Sequence, residues 1–335
     1  MKILNLCMRD YAGAAWSLSH AINKVYPEHR SINLAGLSNI YNYPRMAEMR
    51  DYDLSTCREL TYGSDVVVFH SVLKPYFDGL ALNPRKLKKT KKLLYFHGSE
   101  MRNNGDALIK QAHELLGDFE ILVSTPDLTF FTDEPVHYMP VCRSFTEIRR
   151  KYTMCNQDKR ALHAFWRGAS QLKDAQSKVI FSHAPSDEYK KGSPTFYRVI
   201  TDVMKQLPQV NFQNIKNQPW DSCLRFLSHS DVYFDSDAPF LYCYGAVSVE
   251  ASTFKIPVVT RLSQEVIDRM EKLTGLNSPF VTFVDENDLF VKAYRLGSEA
   301  KLRRRFGEKV YRYCRAVHDE KPVAQKFMNV IEEMD

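Results

Sequence analysis

Short runs of branched and aromatic residues recur along the chain, separated by longer stretches whose apolar residues return every three or four positions. The first pattern predicts buried β-strands at 3–8, 31–34, 65–70, 93–97, 120–124 and 136–139, and again at 178–181, 209–212, 231–234, 257–260 and 281–284. The second predicts the helices between them, with a strongly basic one at 300–316 and a last one at 323–334. Strands that alternate with helices in this way build parallel sheets covered on both faces. The strands fall into two groups, expected as α/β domains at 1–142 and 178–316. Between them, 143–177 is polar, mixed in charge and helix-prone rather than rich in glycine and serine, so it is expected as an interdomain segment with a helix.

Two loops in the second group carry the chemistry. The strand KVIF at 178–181 runs into SHAPSDEYKKG at 182–192, which has no apolar period, and Ser193 and Pro194 then stand where a helix begins. The free N–H groups of that helix, with Lys191 beside them and the permissive Gly192, are expected to hold a diphosphate. Further on, the strand DVYF at 231–234 leads through a loop to Gly245, which opens a helix carrying Glu250 among Val247, Val249 and Ala251. A carboxylate there matches two vicinal ribose hydroxyls, since two O–H donors meet two acceptor oxygens. A solvated loop and an ordinary surface glutamate are the plainer readings of the same residues.

Composition narrows the class. The 335 residues suffice for two cores, and no apolar run approaches the roughly 18 residues that cross a bilayer. The opening MKILNLCMRD runs straight into a β pattern without a small-residue cleavage site, so no signal peptide is expected. Seven cysteines without Cys-x-x-Cys spacing imply reduced thiols and a cytoplasmic setting rather than a zinc site or a disulfide frame. The net charge is +6, with basic clusters at 85–92 (RKLKKTKK), 149–151 and 301–309. Such clusters suit an anionic partner, either a lipid-linked glycan at a membrane surface or duplex DNA, although each taken alone reads more simply as a solvated helix face.

The ordered series HAPS, KG, a strand ending in FD, then YG with EA five residues on, resembles the nucleotide-binding domain of the retaining family 4 glycosyltransferases. The N-terminal half agrees: MKILNLCMRDYAGAA at 1–15, YFHGSEMR at 95–102 and VSTPDL at 123–128 are similar to that family's corresponding loops. The resemblance implies the GT-B fold, two Rossmann-like domains facing each other across a cleft, with 317–335 crossing back to the first. It implies a nucleotide-diphosphate sugar as co-substrate, transfer without a metal, and a glycan or lipid-linked glycan as acceptor, peripheral to a membrane surface. Hydroxymethylated pyrimidines in phage DNA are the rival acceptor. Gly13, Lys191, Gly192, Tyr244, Gly245 and Glu250 become donor-binding positions, with base contacts near 214–219. His97 is placed at the sugar, and Arg102 and Asp127 face the cleft.

Three departures from the family pattern stand out. Tyr242 occupies the place of a first glutamate, for which Asp237 is a substitute, so that His97, Lys191 and Asp237 form the catalytic set. Glu188 stands where an arginine usually precedes the lysine, and Lys255 replaces the glycine that usually ends the helix. These losses keep open a non-catalytic nucleotide-sugar binder, and the fold also leaves room for an epimerase.

Overall fold

The computed structural model describes residues 1–10, 12–37, 41–71, 73–153, 178–237 and 242–334. The chain divides into two compact units, one of Met1–Ser144 with Val317–Asp335 and one of Phe145–Ala316. Of the expected interdomain segment, 143–144 belong to the first unit and 145–153 to the second, and its portion 154–177 lies outside the described residues.

The first unit contains β1 (Lys2–Arg9), α1 (Ala14–Val25), β2 (Arg30–Leu37), β3 (Ala47–Glu48), α2 (Leu54–Tyr62), β4 (Val66–His70), α3 (Lys74–Gly79), β5 (Lys91–Phe96), α4 (Ser99–Leu116), β6 (Glu120–Val123) and β7 (His137–Tyr138). They form one parallel sheet in the order β3-β2-β1-β4-β5-β6-β7. Alternation along the central strands feeds two cores. Leu4, Leu6, Val67, Phe69 and Leu94 point into one, and Ile3, Val66, Val68, Leu93 and Tyr95 into the other.

The second unit holds α5 (Phe145–Thr153), β8 (Val179–His183), α6 (Ser193–Gln206), β9 (Val210–Asn214), α7 (Trp220–Ser228), β10 (Val232–Phe234), α8 (Ala246–Thr253), β11 (Val258–Val259), α9 (Gln264–Thr274), α10 (Glu286–Ser298) and α11 (Ala300–His318). Its parallel sheet runs β11-β10-β8-β9. Phe181, Phe196, Phe234 and Phe283 fill its core beside Val203 and Leu289. α5 packs on α7 and α8, where the Tyr152 hydroxyl donates to Asp221 at 2.6 Å.

The last helix, α12 (Glu320–Glu333), lies on the first unit's sheet and buries Val323, Phe327 and Ile331 beside Ile22 and Val66. Lys24 reaches Glu320 at 2.8 Å and the Lys91 ammonium donates to the Ile331 carbonyl at 2.8 Å.

One expected strand does not form. At 281–284 only Val281 bridges to Val259, because side chains take the backbone groups that a ladder would need. Lys292 binds the Thr282 carbonyl, Arg261 the Val284 carbonyl, and Asp288 accepts from the Val284 N–H.

Candidate functional site

In the second unit, the exits of β8 and β10 meet through buried polar groups. His183 is fully buried and neutral, its pKa pushed down to about 4 by burial. Its Nδ1–H donates to the Phe234 carbonyl at 2.9 Å, which fixes Nε2 as the acceptor for the Ser193 hydroxyl at 2.8 Å. One ring thereby joins two strands to the start of α6.

The loop that follows turns at Gly192 with a φ of 64°, in the left-handed region that favours glycine, and a Cβ there would sit 2.7 Å from that of Asp237. The start of α6 is not the open anion site expected of it. Gly192, Ser193 and Thr195 donate their N–H groups to the carbonyls of Tyr189, Glu188 and Gly192, and Pro194 has none to offer.

The anion-binding features gather instead at α8. Asp235, 1% exposed, accepts from the Lys191 ammonium at 2.8 Å through one oxygen and from the Gly245 N–H at 2.8 Å through the other. A buried carboxylate thus clamps the lysine of one loop to the glycine of the other. Gly245 is needed for closeness, since a Cβ would lie 3.1 Å from the Lys191 nitrogen. Beyond it, the N–H groups of Ala246 and Val247 begin a helix with no side-chain cap and no acid in its first turn, and both residues are half-buried. Those amides and the outer side of the Lys191 ammonium are the groups an incoming anion can reach.

Asp237 does not stand open as a replacement acid. It is paired with Arg261 at 3.1 Å, and its N–H donates to the Lys191 carbonyl at 3.0 Å. Arg261, which follows β11, went unnoticed in the sequence because a single arginine after a strand carries no motif. Glu188 is turned aside: Lys216 and the Tyr197 hydroxyl bind its carboxylate and hold its pKa at about 2. Its negative charge is met by Lys216.

Glu250 is fully buried and accepts from the Trp220 indole at 2.8 Å, tying α7 to α8. It emerges from a helix that is buried from Ser248 to Thr253, so the ordinary surface reading is excluded. Tyr244 is corrected to a packing residue, 2% exposed, with its ring 4.5 Å from that of Phe280.

The first unit places His97 after β5 within a chain of buried donors. Asn5 gives its amide hydrogens to Ser19 and Ser31, and its oxygen meets His70 Nε2 at 3.1 Å. His70 Nδ1 in turn lies 2.8 Å from His97 Nε2. Burial lowers the pKa of His70 well below its ordinary value and that of His97 to about 3, so both rings are neutral. Each neutral ring has one hydrogen, so His70 donates to Asn5 and accepts from His97. His97 Nδ1 is left as a bare acceptor, buried and without a partner among the described residues.

Arg102 and Asp127, expected to face an acceptor, bind one another instead at 2.8 Å, with Asp127 fully buried. The guanidinium tucks under Gly98, where a Cβ would lie 2.9 Å from it, so the pair fastens α4 to the 126–130 turn. Gly13 adopts φ 62°, but the amides behind it are taken: Asp10 accepts from Ala15 and Trp16 at 3.3 and 3.0 Å. The α1 terminus is therefore capped by its own chain rather than open to a donor.

No protein-family model and no curated protein matches this sequence. Solved structures do match in fold. HepE from Anabaena superposes with a TM-score of 0.67 at 12% identity, covering 99% of this chain and 100% of that one. A glycosyltransferase from Rickettsia africae gives 0.65 at 12% identity, over 99% and 98%. Sucrose-phosphate synthase from Thermosynechococcus elongatus gives 0.62 at 13%, over 100% and 99%. The fold is GT-B, made of two Rossmann-like α/β units.

Proposed function

We propose that the chain is a glycosyltransferase that moves a sugar from a nucleoside-diphosphate sugar to a hydroxyl acceptor. The observation that carries this reading is the clamp of Lys191 and Gly245 on Asp235, beside the open amides of α8. It lies at the carboxyl ends of parallel strands, where open α/β sheets bind their ligands. HepE, of the same fold, has been solved with UDP and with UDP-glucose, which supports a nucleotide sugar as the ligand.

In the proposed reaction the bond from the anomeric carbon to the diphosphate oxygen lengthens, and negative charge grows on the leaving group. Lys191 and the Ala246 and Val247 amides stabilise that charge without a metal. The acceptor oxygen attacks from the face the diphosphate vacates, its proton passing to the departing phosphate oxygen, so configuration is retained and no protein nucleophile is needed. The acceptor class favoured is a glycan or lipid-linked glycan.

A second reading has its own support. Lys191 and Arg261 are both already paired with carboxylates, which suits a chain that binds a nucleotide sugar without turning it over. Incubation with a panel of nucleotide sugars in the presence of EDTA separates the two. Release of nucleoside diphosphate that disappears in Lys191→Gln supports the transferase. Saturable binding with no release supports the binder, and neither binding nor release discards both.

A further inference from the structure

At the opposite end of the second unit's sheet lies a recess of about 330 Å³. It opens where strands begin: Ser230 and Asp231 lead into β10, and Pro257 into β11. The loops around Lys191 leave from the far ends of those strands, at Asp235 and Arg261, so the recess is a separate place. Four side chains that line it are basic: Arg149 of α5, Lys255 after α8, and Arg303 and Arg304 of α11.

Of the acids close to these cations, only Glu308 pairs with one of them among the described residues. Asp231 accepts from the Ile180 N–H at 2.9 Å, and Glu299 holds Arg295 at 2.8 Å. Glu308 binds Lys255 at 2.7 Å and also Arg312 at 3.2 Å. Arg303 donates to the Leu296 carbonyl at 2.6 Å. Arg149 lies over the Tyr311 ring, 5.1 Å from its centre, and neither it nor Arg304 has a carboxylate partner among the described residues.

Packing keeps this arrangement in place. Lys255 is held at φ 60°, its ammonium 5.0 Å from the centre of the same Tyr311 ring, and α11 presses Gly307 against the Lys255 carbonyl. Cations drawn together around one concavity repel each other unless an anion sits among them. Guanidinium forks match paired phosphate oxygens.

We infer that this recess binds a phosphate or diphosphate group, at a site distinct from the loops around Lys191. The inference stands whether or not the second unit binds a nucleotide sugar. Two sources share the chemistry, a soluble phosphorylated compound and the headgroup of an anionic lipid.

The test is calorimetric titration of the full chain with inorganic pyrophosphate, comparing wild type with the double variant Arg149→Gln, Arg304→Gln. Both substitutions are of side chains with no ion pair among the described residues, so the fold is expected to hold, checked by circular dichroism. Titrating Lys191→Gln separates any binding at the other loops. The expected result is a site that weakens at least about tenfold in the double variant and is kept in Lys191→Gln. Sedimentation with phosphatidylcholine vesicles containing phosphatidic acid then assigns the source. Capture that the double variant loses indicates a lipid headgroup, and pyrophosphate binding without capture indicates a soluble ligand. Either upholds the recess. Equal pyrophosphate affinity, within twofold, in wild type and double variant overturns it.

Discussion

A lysine that already holds a buried carboxylate is positioned as well as charged. Among the described residues Asp235 pairs with no other cation, so it keeps the Lys191 ammonium beside Gly245 rather than in solvent. This makes Gly245→Ala informative. Its φ of −88° and ψ of 170° are open to alanine, so the backbone tolerates the change, while the added Cβ intrudes at 3.1 Å from the ammonium. UDP affinity is expected to fall about tenfold, with the thermal midpoint moving by only a few degrees. Unchanged affinity in calorimetry would remove the close approach from the account. The Trp220 indole supplies a second check. If a ribose displaces it from Glu250, UDP changes the protein's tryptophan fluorescence, and Trp220→Phe abolishes that change; an equal change in the variant rules out the displacement. His97 and His70 make a third prediction. With pKa values held low by burial, their ring signals in NMR stay put between pH 5 and 8, and a titration in that range contradicts the tautomers assigned to them.

At the scale of elements, junctions carry more than the strands they join. His183 ties β8, β10 and α6 together in the neutral form only. Its folded pKa, about 4, lies below the ordinary value near 6.5, so between these values the unfolded chain binds a proton that the folded chain does not. Stability from this residue is full above pH 6.5 and is lost as pH falls toward 4. His183→Gln is expected to flatten the dependence of the unfolding midpoint across that window; an unaltered slope assigns it to other groups. Just beyond α8, Lys255 takes φ 60°, a left-handed turn of the kind usually given to glycine, and a Cβ on Gly307 would fall 1.8 Å from the Lys255 carbonyl oxygen. Gly307→Ala must therefore displace backbone and is expected to lower urea stability by about 3 kcal/mol or more. A change under about 0.5 kcal/mol would show that α11 slides freely there.

Much of this was legible along the chain, and what was not has physical causes. The strands at 3–8, 65–70 and 231–234 announce themselves because both faces are buried, leaving near-continuous apolar runs. The segment at 281–284 has a similar composition but loses its ladder to Lys292, Arg261 and Asp288, which no local pattern reveals. Lys191, Gly192, Gly245 and Glu250 were visible as loop and helix positions. The pairings of Lys191 and Gly245 with Asp235, of Asp237 with Arg261 and of Glu250 with Trp220 were not, because contacts over long stretches of chain exist only after folding. Nor does a sequence show which helix amides remain open: α6 and α1 look as available as α8 until Glu188 and Asp10 are seen to accept from them.

For the molecule as a whole, GT-B architecture persists with about one residue in eight shared with its structural neighbours, since the pattern of buried strands can be kept by many sequences. Among the described residues no helix is long and apolar enough to cross a membrane. Six described cysteines are buried, so thiol chemistry is not presented at the surface by them. Positive charge is carried at particular places, on α11 and at 85–92, rather than evenly. Association of the chain with anionic vesicles is therefore expected to weaken steeply between 50 and 200 mM salt, roughly as counterion release predicts for several contacts. Salt-independent capture would point to apolar insertion instead.

The most direct measurement is calorimetric titration of the wild-type chain and of Lys191→Gln with UDP, GDP and ADP. One nucleoside diphosphate is expected to bind the wild type with a stoichiometry of about one and the variant at least about tenfold more weakly. Equal binding by both proteins, or binding of none of the three by the wild type, contradicts a diphosphate held by Lys191 at the start of α8.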